Sequence, residues 1–229
     1  MHSWKAMIVD PCKEFRTALA RQLEPEFLVA VCSHGDEALA LIRQEMPDVL
    51  ILELSLPGLD GIGLLRQLAH RPQILVVSDF LDTPFVRGSL LQLGIQYALR
   101  KPCPVHTVAE RARDLMAMEH NLALSRSAYQ LLDSLGLPCG RQGFQHLLTG
   151  LPILAADRDQ RLEKELYRQI ALQNRATPGS VEKAIRDTIR SGWESGNQEV
   201  WNRCFPGHTR CPRNKEFLFR LADLLRRGA

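Results

Sequence analysis

Apolar residues follow two different rhythms along the chain. In the first half, short continuous apolar runs recur: AMIV (6–9), FLVAV (27–31), VLILE (49–53), ILVV (74–77) and IQYAL (95–99). The stretches between them carry apolar residues at helical spacing, as in Phe15, Leu19 and Leu23, or Ala38, Leu41 and Ile42. Strands that are apolar throughout, rather than alternately, are those of a parallel sheet covered on both faces. Five strand–helix units therefore predict a doubly wound α/β domain with a five-stranded parallel sheet. In such folds the functional crevice lies beyond the carboxyl ends of the strands. Asp10, Glu53, Ser78 and Lys101 stand at those ends, so two acids, a hydroxyl and an ammonium converge on one edge.

The second half shows no strand-like alternation. Helix start and stop signals punctuate it: Gly136-Leu-Pro138, Gly150-Leu-Pro152, Thr177-Pro178, Gly196-Asn197, Pro206-Gly207 and Pro212. Leu162, Leu166 and Ile170 mark one helix, and a polar break follows at 174–176. Thr177 is the expected N-cap of the next helix, with Pro178 at its first position. That helix is expected to bury Val181, Ala184, Ile185, Thr188 and Ile189, with Trp193 one turn later. Its opposite face carries Lys183, Arg186 and Arg190, flanked by Ser180, Glu182 and Asp187. Two helices joined by a short turn, the second with a basic face, make a helix-turn-helix layout. A basic outer face is equally that of a solvated helix, so these residues alone leave both readings open. The last helix, from Asn214 to about Arg227, is expected to bury Phe217, Leu221, Leu224 and Leu225, with Trp201, Phe205 and Phe219 in the same core.

At the join, Pro102 and Pro104 start a helix carrying Val105, Val108, Ala112, Leu115 and Met116, and residues 116–130 contain neither Pro nor Gly. The expected organisation is a first domain over 1–118, a partly helical linker over 119–125 and a helical domain over 126–229. A length of 229 residues suits two small cores better than one. Charge divides the same way. Residues 1–120 hold 12 Lys+Arg against 15 Asp+Glu, a net of −3, and residues 121–229 hold 17 against 11, a net of +6. An acidic half joined to a basic half fits a regulatory module attached to a polyanion binder.

No apolar run approaches the roughly 18 residues of a membrane span. The N-terminus MHSWKAMIVD lacks a signal-peptide layout, so a cytoplasmic location without membrane partners is expected. Six cysteines, at 12, 32, 103, 139, 204 and 211, form no Cys-x-x-Cys pair. Cys204 and Cys211 flank His208, a hint of metal against which free thiols in a reducing compartment are the plainer expectation. No nucleophile–base pair or phosphate-cradling glycine loop points to an enzyme.

The four strand-end residues, with LILELSLPGLDG (50–61) and the Arg-Lys-Pro at 100–102, resemble a two-component receiver domain of flavodoxin-like fold. The resemblance makes Glu53 the phosphoacceptor-equivalent position and implies that Asp10, Ser78 and Lys101 form the pocket around it, with a cis Lys-Pro bond. Any weakly held magnesium would take Asp10 and Glu53 as ligands; no other cofactor is implied. The sequence departs from the family at three places. Glu53 replaces the phosphoacceptor Asp, Pro11 replaces the second acid of the magnesium site, and Ala98 stands where an aromatic switch residue is usual, Tyr97 pointing to the other face. A carboxylate one methylene further out is misplaced for in-line attack, where an error of about 1 Å costs on the order of a hundredfold. Three readings follow. The pocket no longer uses aspartyl phosphate, a reading that includes the case in which Glu53 approaches Ser78 and Lys101 as a phosphoryl group would; or it still takes a phosphoryl group; or it is a structural cluster in which Lys101 neutralises Asp10 and Glu53.

From about Leu135 onward the chain resembles the effector domain of the stage 0 sporulation protein A family, response regulators that initiate endospore formation. The carrying segments are LGLPCGRQGF (135–144), SVEKAIRDTIRSGWESGN (180–197) and PRNKEFLFRLADLLR (212–226). The resemblance implies sequence-specific binding of double-stranded DNA by a recognition helix at 178–193. Its contact positions fall on Ser180, Glu182, Lys183 and Arg186. Arg190 is assigned to the phosphate backbone, where basic groups position a protein without reading sequence. Lys183 stands where an Arg is usual and Asp187 where a His is usual, so base preference is expected to differ from the family's. A homodimer on DNA, RNA polymerase and phosphorelay proteins are the further partners that this family implies. The competing function is an interaction module whose altered receiver sequesters a kinase or phosphotransferase.

Overall fold

The apolar runs of the first half become one parallel sheet in the computed structural model, which describes residues 4–95, 97–156 and 163–228. Strands β1 (Trp4–Val9), β2 (Phe27–Cys32), β3 (Val49–Leu52), β4 (Gln73–Ser78) and β5 (Ala98–Arg100) pair in the order β2-β1-β3-β4-β5. Between them run α1 (Lys13–Leu23), α2 (Gly35–Glu45), α3 (Gly61–Arg66) and α4 (Pro84–Gln92), and α5 (Val105–Ser134) follows β5. The strands are apolar throughout because successive side chains enter different cores. Ala6, Ile8, Val49, Ile51, Leu75 and Val77 pack with Leu19 and Leu23 of α1 and with Val108, Ala109 and Ala112 of α5. Met7, Val9, Leu50, Leu52 and Val76 pack on the other face with Ala38 and Ile42 of α2, Leu64 and Leu65 of α3, and Leu90 of α4. Each such Val, Leu or Ile contributes about 1.5–3 kcal/mol by leaving water.

Two expectations for the strands need correction. β2 is an edge strand, and Leu28 and Val31 are exposed. The fifth strand spans Ala98–Arg100 rather than 95–99. Gly94, at φ +74°, closes α4, and the Ile95 N–H reaches back to the Leu90 carbonyl at 2.9 Å. Ile95 is thus the buried apolar contact of a helix C-cap, Tyr97 is exposed ahead of the strand, and Gln96 lies outside the described residues.

The chain divides into two compact units, Met1–Met118 and Glu119–Ala229. Residues 119–125, expected as a linker, are helical and belong to α5. The described residues of the second unit are otherwise built from α6 (Gln142–Ala156), α7 (Glu163–Asn174), α8 (Pro178–Ser195), α9 (Gln198–Cys204) and α10 (Asn214–Gly228). One core unites them, including Leu132, Phe144, Leu151, Ile170, Ile185, Trp201, Phe217 and Leu221. Helices α6 and α8 touch backbone to backbone: a Cβ at Gly143 would lie 2.1 Å from the Ala184 carbonyl oxygen. Trp201 is fully buried, and its Nε1–H is shared between the carbonyls of Leu135 and Gly192, each at 3.0 Å. Leu166 and Ile170 are buried as expected, whereas Leu162 lies outside the described residues. Phe219 is not in the core. It lies about 200° around α10 from Phe217, half-buried beneath the Lys215 ammonium, and Leu218 is buried in its stead.

Candidate functional site

Parallel pairing brings the four strand-end residues of the first unit together. Asp10 follows β1, Glu53 follows β3, Ser78 ends β4 and Lys101 follows β5, and β1, β3, β4 and β5 are successive neighbours. Lys101 Nζ donates to Asp10 Oδ2 at 2.5 Å and to Glu53 Oε2 at 2.6 Å. The other Glu53 oxygen, Oε1, accepts from Ser78 Oγ at 2.5 Å and from the backbone N–H groups of Leu54 and Ser55 at 2.8 and 3.0 Å. Asp10 Oδ1 accepts from the Cys12 N–H at 2.8 Å. Each oxygen of both carboxylates therefore has a partner. Asp10 and Glu53 retain 1% and 4% of their exposure, and the Lys101 ammonium also sits 4.8 Å over the Phe15 ring. The Lys101–Pro102 bond is cis.

Burial alone would raise the Glu53 carboxyl, but hydrogen bonds from Lys101, Ser78 and Ser55 outweigh it and hold the group below the usual carboxylate range. Lys101 mirrors it: burial would lower the ammonium, and the two carboxylates push it above the usual lysine value. Both groups are thus held charged. Pro11 brings no side-chain oxygen to this cluster, and Ala98 is half-buried within β5.

In the second unit, α7 ends at Asn174 and Arg175 turns the chain at φ +52°. The Thr177 hydroxyl caps α8 through the Ser180 N–H, and Ser180 Oγ accepts from the Thr177 N–H in return, a reciprocal capping box. Helix α8 buries Val181, Ile185, Thr188 and Ile189 and half-buries Ala184 and Trp193, leaving Lys183, Arg186, Asp187 and Arg190 exposed. Arg186 pairs with Glu182 one turn earlier; among the described residues Lys183 and Arg190 have no ion-pair partner. The Ser180 hydroxyl, a predicted contact, is committed to the cap. Glu182, Arg186 and Arg190 also line a groove of about 500 Å³ whose other wall is Cys211, Pro212, Arg213, Asn214 and Lys215.

Two family models match the chain. Residues 6–113 match the response regulator receiver domain, and residues 128–225 match the C terminal of the sporulation initiation factor Spo0A. The chain is thus similar over most of its length to the Spo0A type of sporulation response regulator, through one match in each unit. Spo0A-type architecture accounts for both units, a receiver domain followed by an all-helical DNA-binding domain of a transcription factor. Among solved structures, the BeF3-activated receiver domain of RstA from Klebsiella pneumoniae is 29% identical, covering 48% of this chain and 95% of that one at a TM-score of 0.43. The receiver domain of response regulator 1452 from Francisella is 26% identical, covering 49% and 96% at 0.45. A DNA-binding response regulator of the LuxR family from Staphylococcus aureus is 19% identical, covering 49% and 98% at 0.45.

In this Spo0A-like chain the structure gathers Asp10, Glu53, Ser78 and Lys101 into one cluster and sets Ser180, Glu182, Lys183, Arg186 and Arg190 along one helix. Sequence reasoning missed Arg213 and Lys215, which join the α8 face only through tertiary packing; a local pattern of charge at 212–215 gives no sign of it. The metal hint at Cys204, His208 and Cys211 resolves differently. His208 Nε2 lies 2.7 Å from Glu216 Oε1, the cysteines are free thiols, and the described residues hold no group of three metal-ligating side chains. No helix among them is long and apolar enough to cross a membrane.

Proposed function

We propose that this regulator binds DNA through α8 without waiting for aspartyl phosphate, Glu53 serving as a standing substitute for the phosphorylated residue. One observation carries the reading: the Glu53 carboxylate already holds both Ser78 Oγ and Lys101 Nζ, the hydroxyl and ammonium that would engage a phosphoryl group. The mimic is electrostatically weaker than what it replaces, one charge against nearly two, and Asp10 adds the second negative charge on Lys101. The residues present do not fit a magnesium ion. Such an ion needs several hard oxygen ligands; here Pro11 supplies none, and the Lys101 ammonium bridges the two carboxylates that remain. A cation already between the acids does the neutralising that the metal would do, and no attack on a phosphodonor is routed through this site. The reading assigns the chain no enzymatic step.

The test uses the full chain and a duplex enriched by it from a random-sequence pool. Binding is expected to be the same with and without acetyl phosphate and magnesium. Glu53→Ala is expected to weaken it, and Glu53→Asp combined with Pro11→Asp to make it depend on the phosphodonor. A several-fold rise of wild-type binding on phosphodonor treatment overturns the reading. Lys183→Ala and Arg186→Ala should each cost about 1–3 kcal/mol on the enriched duplex and relax its sequence preference.

A further inference from the structure

The groove beside α8 has a charge content that α8 alone does not explain. Its lining carries Arg186, Arg190, Arg213 and Lys215 against one carboxylate, Glu182, and that carboxylate is engaged by Arg186. Glu216, the next acid along α10, is also taken up, accepting from the Arg213 N–H at 3.3 Å and meeting His208 Nε2. Arg190, Arg213 and Lys215 have no carboxylate partner among the described residues, so an unneutralised concentration of positive charge borders the groove. The far wall is fixed to the near one. Asn214, 8% exposed, donates through Nδ2 to the Glu182 carbonyl of α8 at 2.9 Å and to the Tyr167 hydroxyl of α7 at 3.3 Å. Arg213 and Lys215 flank that anchor on either side, and the Lys215 ammonium lies 5.9 Å from the centre of the Phe219 ring.

We infer that this groove is a second DNA contact, in which Arg213 and Lys215 engage the phosphodiester backbone of a strand running beside α8. The inference rests on the placement of α8 at the DNA proposed above. Arg186 and Arg190 belong to both surfaces, so the groove continues that interface. An occupant matched to its charge must be anionic, and one continuous with the α8 face must be extended along it; a DNA strand meets both demands. Arg213 and Lys215 would position the duplex and Lys183 would read it.

The experiment measures binding by the full chain across a range of KCl concentrations, on the enriched duplex and on a random-sequence duplex. Each lost phosphate contact lowers the slope of log affinity against log salt by about 0.9. Arg213→Ala with Lys215→Ala is therefore expected to lower the slope by about two. Affinity for both duplexes should fall alike, with the preference between them unchanged. Arg213→Lys with Lys215→Arg should restore the slope, and Arg213→Gln with Lys215→Gln serves in place of the alanines should these unfold the helix. An unchanged slope overturns the inference, as does a changed preference at constant slope. The α8 reading fails separately: it falls if Lys183→Ala and Arg186→Ala leave binding unchanged, whereas the groove alone falls if those two act and the Arg213–Lys215 pair does not.

Discussion

Each unit sets a basic side chain against a carboxylate, and the two arrangements meet water very differently. In the strand-end cluster, Lys101 lies against Asp10 and Glu53, whose side chains are 2% and 4% exposed. On α8, Arg186 lies against Glu182 with both side chains about half exposed. Buried charges cannot trade a partner for water, so each must keep the one it has. Exposed pairs lose little on parting, because solvent and salt already screen them. The cation of the pocket is therefore committed to the protein, while the cations of the helix are available to a ligand. Ion pairing serves as an internal clamp in one place and leaves a recognition surface in the other, and burial decides which.

The hardest test of that contrast removes the cation that compensates the two buried carboxylates. Lys101→Ala leaves Asp10 and Glu53 facing each other without compensation, and loss of one partner of a buried pair costs about 3–5 kcal/mol. Urea unfolding of the full chain should show that loss in the transition of the first unit, with the second unit's transition unmoved. A loss under about 1 kcal/mol, the range of exposed pairs, would falsify the contrast.

A milder test titrates the clamp. The folded Glu53 carboxyl is held below the usual 4.5, so its contribution to stability is present above that value and is lost as pH falls through the folded pKa. Lys101 is raised above 10.5, so its contribution is present below that value and is lost as pH rises through the folded pKa. Between those limits the clamp is closed. Glu53→Gln should cost about 1–3 kcal/mol at neutral pH and flatten the acid limb of the stability profile of the first unit. An acid limb as steep as that of the wild type would show that other carboxylates set it.

Most of the fold was legible because two spacings carry it. Continuous apolar runs announced a sheet buried on both faces, and Thr177-Pro178 announced the start of α8. The exceptions share a cause, since each depends on a neighbour that the local sequence does not name. Ile95 is apolar for a helix cap rather than for a strand, and Phe219 is large yet sits on the wrong side of α10. In the pocket, the residue types at strand ends sufficed to predict the meeting of Asp10, Glu53, Ser78 and Lys101, because parallel strand order brings those ends together. The hydrogen bonds from Leu54 and Ser55 to Glu53 were not legible, for they arise from backbone geometry. Nor were Arg213 and Lys215, some thirty residues from Glu182 in sequence and joined to it through Asn214. The capping role of Ser180 lay in between: its spacing from Thr177 fits a box, yet the same exposed position suits a DNA contact.

The smallest effect is expected at the exposed pair, and it separates stability from binding. Glu182→Gln removes the carboxylate that holds Arg186 but keeps the backbone carbonyl that accepts from Asn214. An i,i+4 pair of this kind stabilises a helix by about 0.3–0.5 kcal/mol, so thermal unfolding should scarcely move. Binding responds in the opposite sense. The variant releases Arg186 and removes a charge that repels phosphate, and the same few tenths of a kcal/mol correspond to about a twofold rise in affinity for a random-sequence duplex. That rise should fade as salt increases, while preference on the enriched duplex relaxes at one base pair if Glu182 accepts from a cytosine amino group. Weaker binding to random sequence, or a loss of stability above about 1 kcal/mol, would mean that Arg186 is clamped as Lys101 is, and that the two sites do not differ in the way their burial implies.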